Sequence, residues 1–171
     1  YVGEIPVYVD LRLKDLQRVE VLLGPQGTLY GAGTMGGAIR YIPNKPSFDE
    51  QFAEVRTDLY SYAEGDGISS DTGLTFNFPV SDNFAIRGSV DYLDDQGFIY
   101  YPFVVQEPGV SNPDPDFTDP AQIAANFNPQ SDVNTEQTLG GRIAARWQPI
   151  DAVDATLTYY FQQQENGGRN T

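Results

Sequence analysis

The chain has 171 residues, with 24 Asp and Glu against 10 Lys and Arg, and neither His nor Cys. That composition allows one medium domain and excludes a disulfide scaffold, a Cys/His zinc site, a catalytic thiol and any histidine triad or general base. A formal charge of -14 opposes contact with phosphate backbones, so nucleic acid is not an expected partner, while 11 Tyr, 10 Phe and 17 Gly favour strands over a helical core.

The first segment, Tyr1-Val2-Gly3-Glu4-Ile5-Pro6-Val7, opens without an initiator Met, a charged leader or an apolar run. It reads as part of something longer. A glycine-rich stretch follows, from Arg18-Val19-Glu20-Val21-Leu22-Leu23 through Gly24-Pro25-Gln26-Gly27-Thr28-Leu29-Tyr30-Gly31 to Gly36-Gly37-Ala38-Ile39 and Lys45-Pro46. Within it, Gly31 to Gly36 matches the G-x-G-x-x-G of dinucleotide folds. The helix that pattern requires is missing: Ala38-Ile39-Arg40-Tyr41-Ile42 is strand-like, and Pro43 and Pro46 would break a helix before its third turn. A phosphate loop fails too, since no Gly-Lys-Ser/Thr follows. The glycines instead predict tight turns with positive φ, packed against short strands.

From Phe52 on the hydrophobic period is 2. Five runs alternate, near 52 to 62, 72 to 78, 84 to 92, 138 to 147 and 155 to 161, with Val55, Leu74, Ile86, Ile143 and Leu157 on the apolar face and Glu54, Arg87 and Arg142 on the polar one. The connections alternate as well: 79 to 83 and 148 to 154 are short, whereas 63 to 70 is longer and 96 to 136 very long. A soluble antiparallel sandwich also alternates. Loop asymmetry, with Phe78, Phe84 and Trp147 beside the short turns, favours a transmembrane barrel with an aromatic girdle.

The ordered motif from Arg18 to Lys45-Pro46 resembles the end of the plug domain of TonB-dependent outer-membrane receptors. The resemblance implies an all-β fragment of a large antiparallel transmembrane β-barrel of about 22 strands, preceded by part of a small α+β plug. Residues 1–48 would be the C-terminal part of the plug and 49–171 the first five barrel strands. The plug-motif residues so implied are Arg18, Glu20, Gly24, Pro25, Gly27, Tyr30, Gly31, Gly36 and Gly37. Two features depart from the family. Leu23 stands where an Arg usually joins an ion cluster between plug and wall, with Arg18 and Arg40 the nearby cations. The interval before Leu16 is short, so either the apical loop is truncated or residues are missing around Asp10-Leu11, where a chain break is then expected.

By that resemblance the function is TonB-dependent uptake of a scarce nutrient, most often a ferric siderophore, with oligosaccharide or cobalamin as alternatives. The implied partners are the TonB protein, through a segment not present here, outer-membrane lipid of a Gram-negative bacterium, and the small nutrient ligand. No catalytic residue, cofactor or resident metal is expected. A structural or adhesive β protein and a nucleotide-binding enzyme are the other classes the residues leave open. No Lys or Arg occurs from Gly88 to Gly141, so the long loop is acidic. Tyr100, Tyr101, Asp114, Asp116 and Asp119 are its candidate ligand-facing residues, against a plainer reading in which Asp and Pro make turns and aromatics pack the loop on itself.

Overall fold

The computed structural model describes residues 1, 2, 11–25, 27 and 36–167. Two sheets are formed. Strands β1 (Leu16–Leu23) and β2 (Gly37–Pro43) pair antiparallel, from Leu16 opposite Pro43 to Leu23 opposite Gly37, with an irregularity between Leu16 and Arg18. Val2 bridges to Tyr41 in parallel, so the chain start lies along β2. The second sheet is an open meander of five strands in chain order: β3 (Phe52–Tyr60), β4 (Ser69–Ser81), β5 (Phe84–Asp95), β6 (Glu136–Ile150) and β7 (Val153–Asn166). No helix is long and apolar enough to cross a membrane, a statement that does not bear on strands.

The chain forms two compact units. Residues 1–56, 72–92 and 139–163 make the first, which holds both short turns; 57–71, 93–138 and the residues from 164 on make the second, which holds the long connections. In the first unit the period of 2 sorts the side chains by face. Ala85, Arg87, Ser89, Arg142 and Ala144 are buried, whereas Val55, Leu74, Ile143, Trp147 and Leu157 are exposed. Ile86 shares their side and is half-buried. The buried face is therefore the one that carries Arg87 and Arg142, and the apolar face is bare, the inverse of a soluble sheet and the arrangement of a strand that meets lipid outside.

Three sequence expectations need correction. The turn assigned to 79–83 shrinks to Asp82 and Asn83, because β4 runs on through Pro79 to Ser81. Asn77 bonds to Ser47 and Glu50, which precede β3, so the end of β4 beyond it, Pro79 included, extends past the start of β3. The first run ends at Tyr60 rather than Tyr62. The long loop also contains a helix, α1 (Pro120–Asn126), started by Asp119, whose side chain accepts from Ala121 N at 2.9 Å, with proline in the first turn. Of the glycine segment, Gln26 and residues 28–35, with Tyr30 and Gly31, lie outside the described residues. So does Asp10, and with it the expected break at Asp10-Leu11.

The exposed face supplies a direct test. Ile143 is half exposed at the middle of β6; in the full-length protein folded into lipid vesicles, Ile143→Arg is expected to cost about 2 to 4 kcal/mol by urea unfolding. A cost near zero would sink the lipid-facing assignment.

Candidate functional site

Asp15 precedes β1 and holds a positive φ of 54°. That backbone is uncommon outside glycine, though Asp tolerates it better than most residues. The conformation is held by what the side chain and backbone meet. Arg87 on β5 donates twice to the carboxylate, from Nε at 2.8 Å and from Nη2 at 2.5 Å. Arg142 on β6 donates from Nη2 at 2.8 Å, and Asn44, just after β2, donates from Nδ2 at 2.8 Å. The Asn44 N–H also donates to the Asp15 carbonyl at 3.1 Å. The carboxylate is 3% exposed and the two guanidiniums 11% and 5%. Two strands and the segment ahead of β1 thus converge on one buried anion. Bidentate geometry and two cations are what make such burial tolerable.

The same face ties down the link between the sheets. Arg142 Nη2 donates to Asn44 O at 2.7 Å, Arg146 Nη1 to Pro46 O at 3.2 Å, and Arg146 also forks onto Asp154 at 2.9 and 3.1 Å. Lys45 reaches Asp154 at 3.6 Å, and Arg146 lies 4.5 Å from the Phe48 ring centre. Asn77 is fully buried; it accepts from Ser47 N at 2.9 Å and donates to Ser47 O at 3.0 Å and to Glu50 O. Arg142 Nε is buried with no partner among the described residues, and Arg142 helps line a cavity of about 20 Å³, the size of one water. Beside Asp15, a cavity of about 350 Å³ is lined by Lys14, Glu54, Arg56, Arg87 and Asp91, charges of both signs.

The predicted plug-motif residues fall in three places. Glu20 binds Arg18 along β1 at 2.7 Å and Arg40 across the β1–β2 pair at 3.2 Å. The hydrogen bond from Arg18 is the main cause that holds the Glu20 carboxyl below its ordinary range. Gly24 has φ of 84° and Gly37 of 142°, and a Cβ on Gly37 would lie 2.5 Å from Leu22 O, so both positions require glycine. Pro25, Gly27 and Gly36 are exposed. Leu23, which stands where the family usually carries an Arg, is 84% exposed, and a buried ion cluster is found around Asp15. That residue was not singled out in the sequence. The signal was available on the other side of the contact: Arg87 and Arg142 at inward positions require a carboxylate.

The loop candidates do not converge. Asp114 N donates to Asn112 Oδ1 at 3.0 Å, and Asp116 accepts from Thr118 N and Oγ1 at 2.9 and 2.6 Å, which lowers its pKa. Asp119 caps α1. These are turn and cap roles. Tyr100 and Tyr101 are about half exposed. Among the described residues no group of three or more acidic side chains is placed to hold a metal ion.

No family model matches the chain, and no solved structure does. Curated proteins do. The chain is 25% identical over 153 residues to the ferrichrome outer membrane transporter/phage receptor of Escherichia coli, covering 90% of this chain and 16% of that protein. It is 26% identical over 173 residues to the metal-pseudopaline receptor CntO of Pseudomonas aeruginosa, covering 87% and 23%. With the pesticin receptor of Yersinia pestis it shares 36% over 85 residues, 47% of this chain and 11% of that protein. The chain spans less than a quarter of the length of each. The chain is thus similar to a part of TonB-dependent outer-membrane receptors of Gram-negative bacteria.

Two outcomes follow from the geometry. Asp15→Ala leaves two buried guanidiniums without their anion, and the opening free energy of β1–β2, read by native-state hydrogen exchange in the full-length protein, is expected to fall by about 3 to 5 kcal/mol. Unchanged protection would show that the cluster bears no load. For Glu20, whose folded pKa lies below the usual 4.5, the contribution is complete above that value and is lost as pH falls through the lowered one. Protection factors of β1–β2 are therefore expected to drop on acidification below about pH 4.5, a dependence that Glu20→Gln should flatten.

Proposed function

We propose that the full protein takes up a scarce small nutrient across the outer membrane in a TonB-dependent manner, with a metal chelate of the ferric siderophore class as cargo. Residues 1–48 are the closing part of its plug and 49–171 its first barrel strands. The observation that carries this reading is the Asp15 cluster, which ties the segment bearing the Gly24-Pro25 motif to the face of β5 and β6 opposite their exposed apolar side chains. A stopper fastened inside a wall must make such a contact, and a solvated sheet has no need of one. Two relatives named for ferrichrome and for metal-pseudopaline support a metal-bearing cargo over oligosaccharide or cobalamin. The coupling partner is the TonB protein, which engages a segment outside these residues. The reading as a non-enzyme agrees with relatives named as transporters and receptors.

The test is radiolabelled iron uptake by cells that produce or lack the full-length protein, each with and without TonB, over a panel of ferric hydroxamates and catecholates. Saturable uptake of at least one chelate that needs both proteins is expected. Uptake indifferent to TonB would refute the coupling, and transport of cobalamin or an oligosaccharide alone would refute the cargo class. In the same assay Asp114→Asn, Asp116→Asn and Asp119→Asn together are expected to leave uptake within about twofold, because the Asp116 carboxylate closes a turn, that of Asp119 caps α1 and Asp114 engages Asn112 through its backbone.

A further inference from the structure

The ion cluster has an unused carboxylate within reach. The cavity of about 350 Å³ beside Asp15 and Arg87 is also lined by Phe52 and Glu54 on β3 and by Gly73 and Thr75 on β4. Glu54 makes no hydrogen bond or ion pair among the described residues. Asp91, also on the cavity, is held by Arg56 at 3.2 Å.

Arg87 is already turned towards Glu54. Its guanidinium carbon lies 5.1 Å from the centre of the Phe52 ring, and Phe52, two residues before Glu54, shares its face of β3. Only β4 stands between β3 and β5, and its residues on the cavity, Gly73 and Thr75, are small. Two strand spacings come to about 9.6 Å, within the joint reach of an arginine and a glutamate side chain. Gly73 helps to keep the passage clear, since a Cβ there would run into Asp91 Oδ1.

The two arginines of the cluster differ in what they stand to lose. Arg142 has a second acceptor, Asn44 O at 2.7 Å, whereas the hydrogen bonds of Arg87 among the described residues both go to Asp15. Withdrawal of Asp15 alone would strand the Arg87 guanidinium inside the wall, where an unpaired charge is costly. Rotation of its side chain across the cavity exchanges one carboxylate for another.

We infer that Arg87 is a switching cation: when the segment bearing Asp15 parts from the strand wall, Arg87 crosses the cavity and pairs with Glu54, which stabilises the parted state. Glu54 is exposed where Asp15 is buried, so the second pair is weaker than the first. The exchange eases release without making it spontaneous. The inference rests on the receptor reading above, in which the plug segment leaves the wall for cargo to pass.

The experiment follows hydrogen exchange at the Asn44 amide, which donates to the Asp15 carbonyl, in the full-length protein in lipid nanodiscs. Glu54→Gln removes a carboxylate that has no ion pair while Asp15 is seated, so a merely structural role predicts unchanged or reduced protection. Exchange of partners predicts the opposite: protection is expected to rise about threefold or more, because only the parted state loses an ion pair. Asp58→Asn, on the same face of β3 but not part of the cavity lining, should leave protection within about twofold. Unchanged or reduced protection with Glu54→Gln, or an equal rise with Asp58→Asn, overturns the assignment. A crystal structure of full-length Asp15→Ala gives a second readout. There the Arg87 guanidinium is expected within about 4 Å of the Glu54 carboxylate, and Arg87 left in its original position overturns the exchange. Neither measurement needs TonB, energy or cargo, so failure leaves the uptake proposal standing. Conversely, a demonstrated exchange in a protein that imports nothing overturns the uptake proposal alone.

Discussion

Burying one carboxylate between two arginines is the constraint on which the first unit depends. Arg87 and Arg142 sit on neighbouring strands with their charges inward, and neither charge would be tolerated there without Asp15. Because side chains alternate along a strand, a slip of one residue would carry both guanidiniums to the apolar side. The ion cluster therefore fixes the register of β5 and β6, and with it which face meets lipid. It also explains why a non-glycine residue holds the left-handed backbone at Asp15: the side chain and the carbonyl are both fastened, to Arg87, Arg142 and Asn44.

The distribution of charge follows the same logic. Cations are scarce in this chain, and most of them serve fastenings: Arg18 and Arg40 with Glu20, Arg56 with Asp91, Lys45 and Arg146 with Asp154, and Arg87 and Arg142 with Asp15. Seven of the ten Lys and Arg are placed in these pairs, and the net charge of -14 is the acidic excess over all ten. Part of the acidic excess lies in the long loop, where the Asp119 carboxylate caps a helix and that of Asp116 closes a turn.

Most of the architecture could be read from local pattern. The five strands, their order and their exposed face follow from a period of 2 and from turn residues, both of which act over a few positions. What escaped was non-local or depended on phase. Asp15 is one carboxylate among 24 acidic residues, and only the fold shows that it lies under two arginines 72 and 127 positions away. The extension of β4 through Pro79 was hidden because proline ordinarily ends a strand. Helix α1 was legible after all: Asp119-Pro120 ahead of Ala121, Ala124 and Ala125 is a start signal.

Asn77 differs in kind from the other fastenings. Its amide grips the linker at Ser47 and Glu50 without any formal charge, so neither ionic strength nor protonation acts on it directly. The hold at Asp15, 32 residues before Ser47, is ionic. The molecule therefore has two seams in series, made of different materials: one that yields when charges are rearranged and one that does not. A segment detached at the first remains moored at the second, so that release would be reversible, with the strand wall left whole and the loosened piece still within reach of its seat.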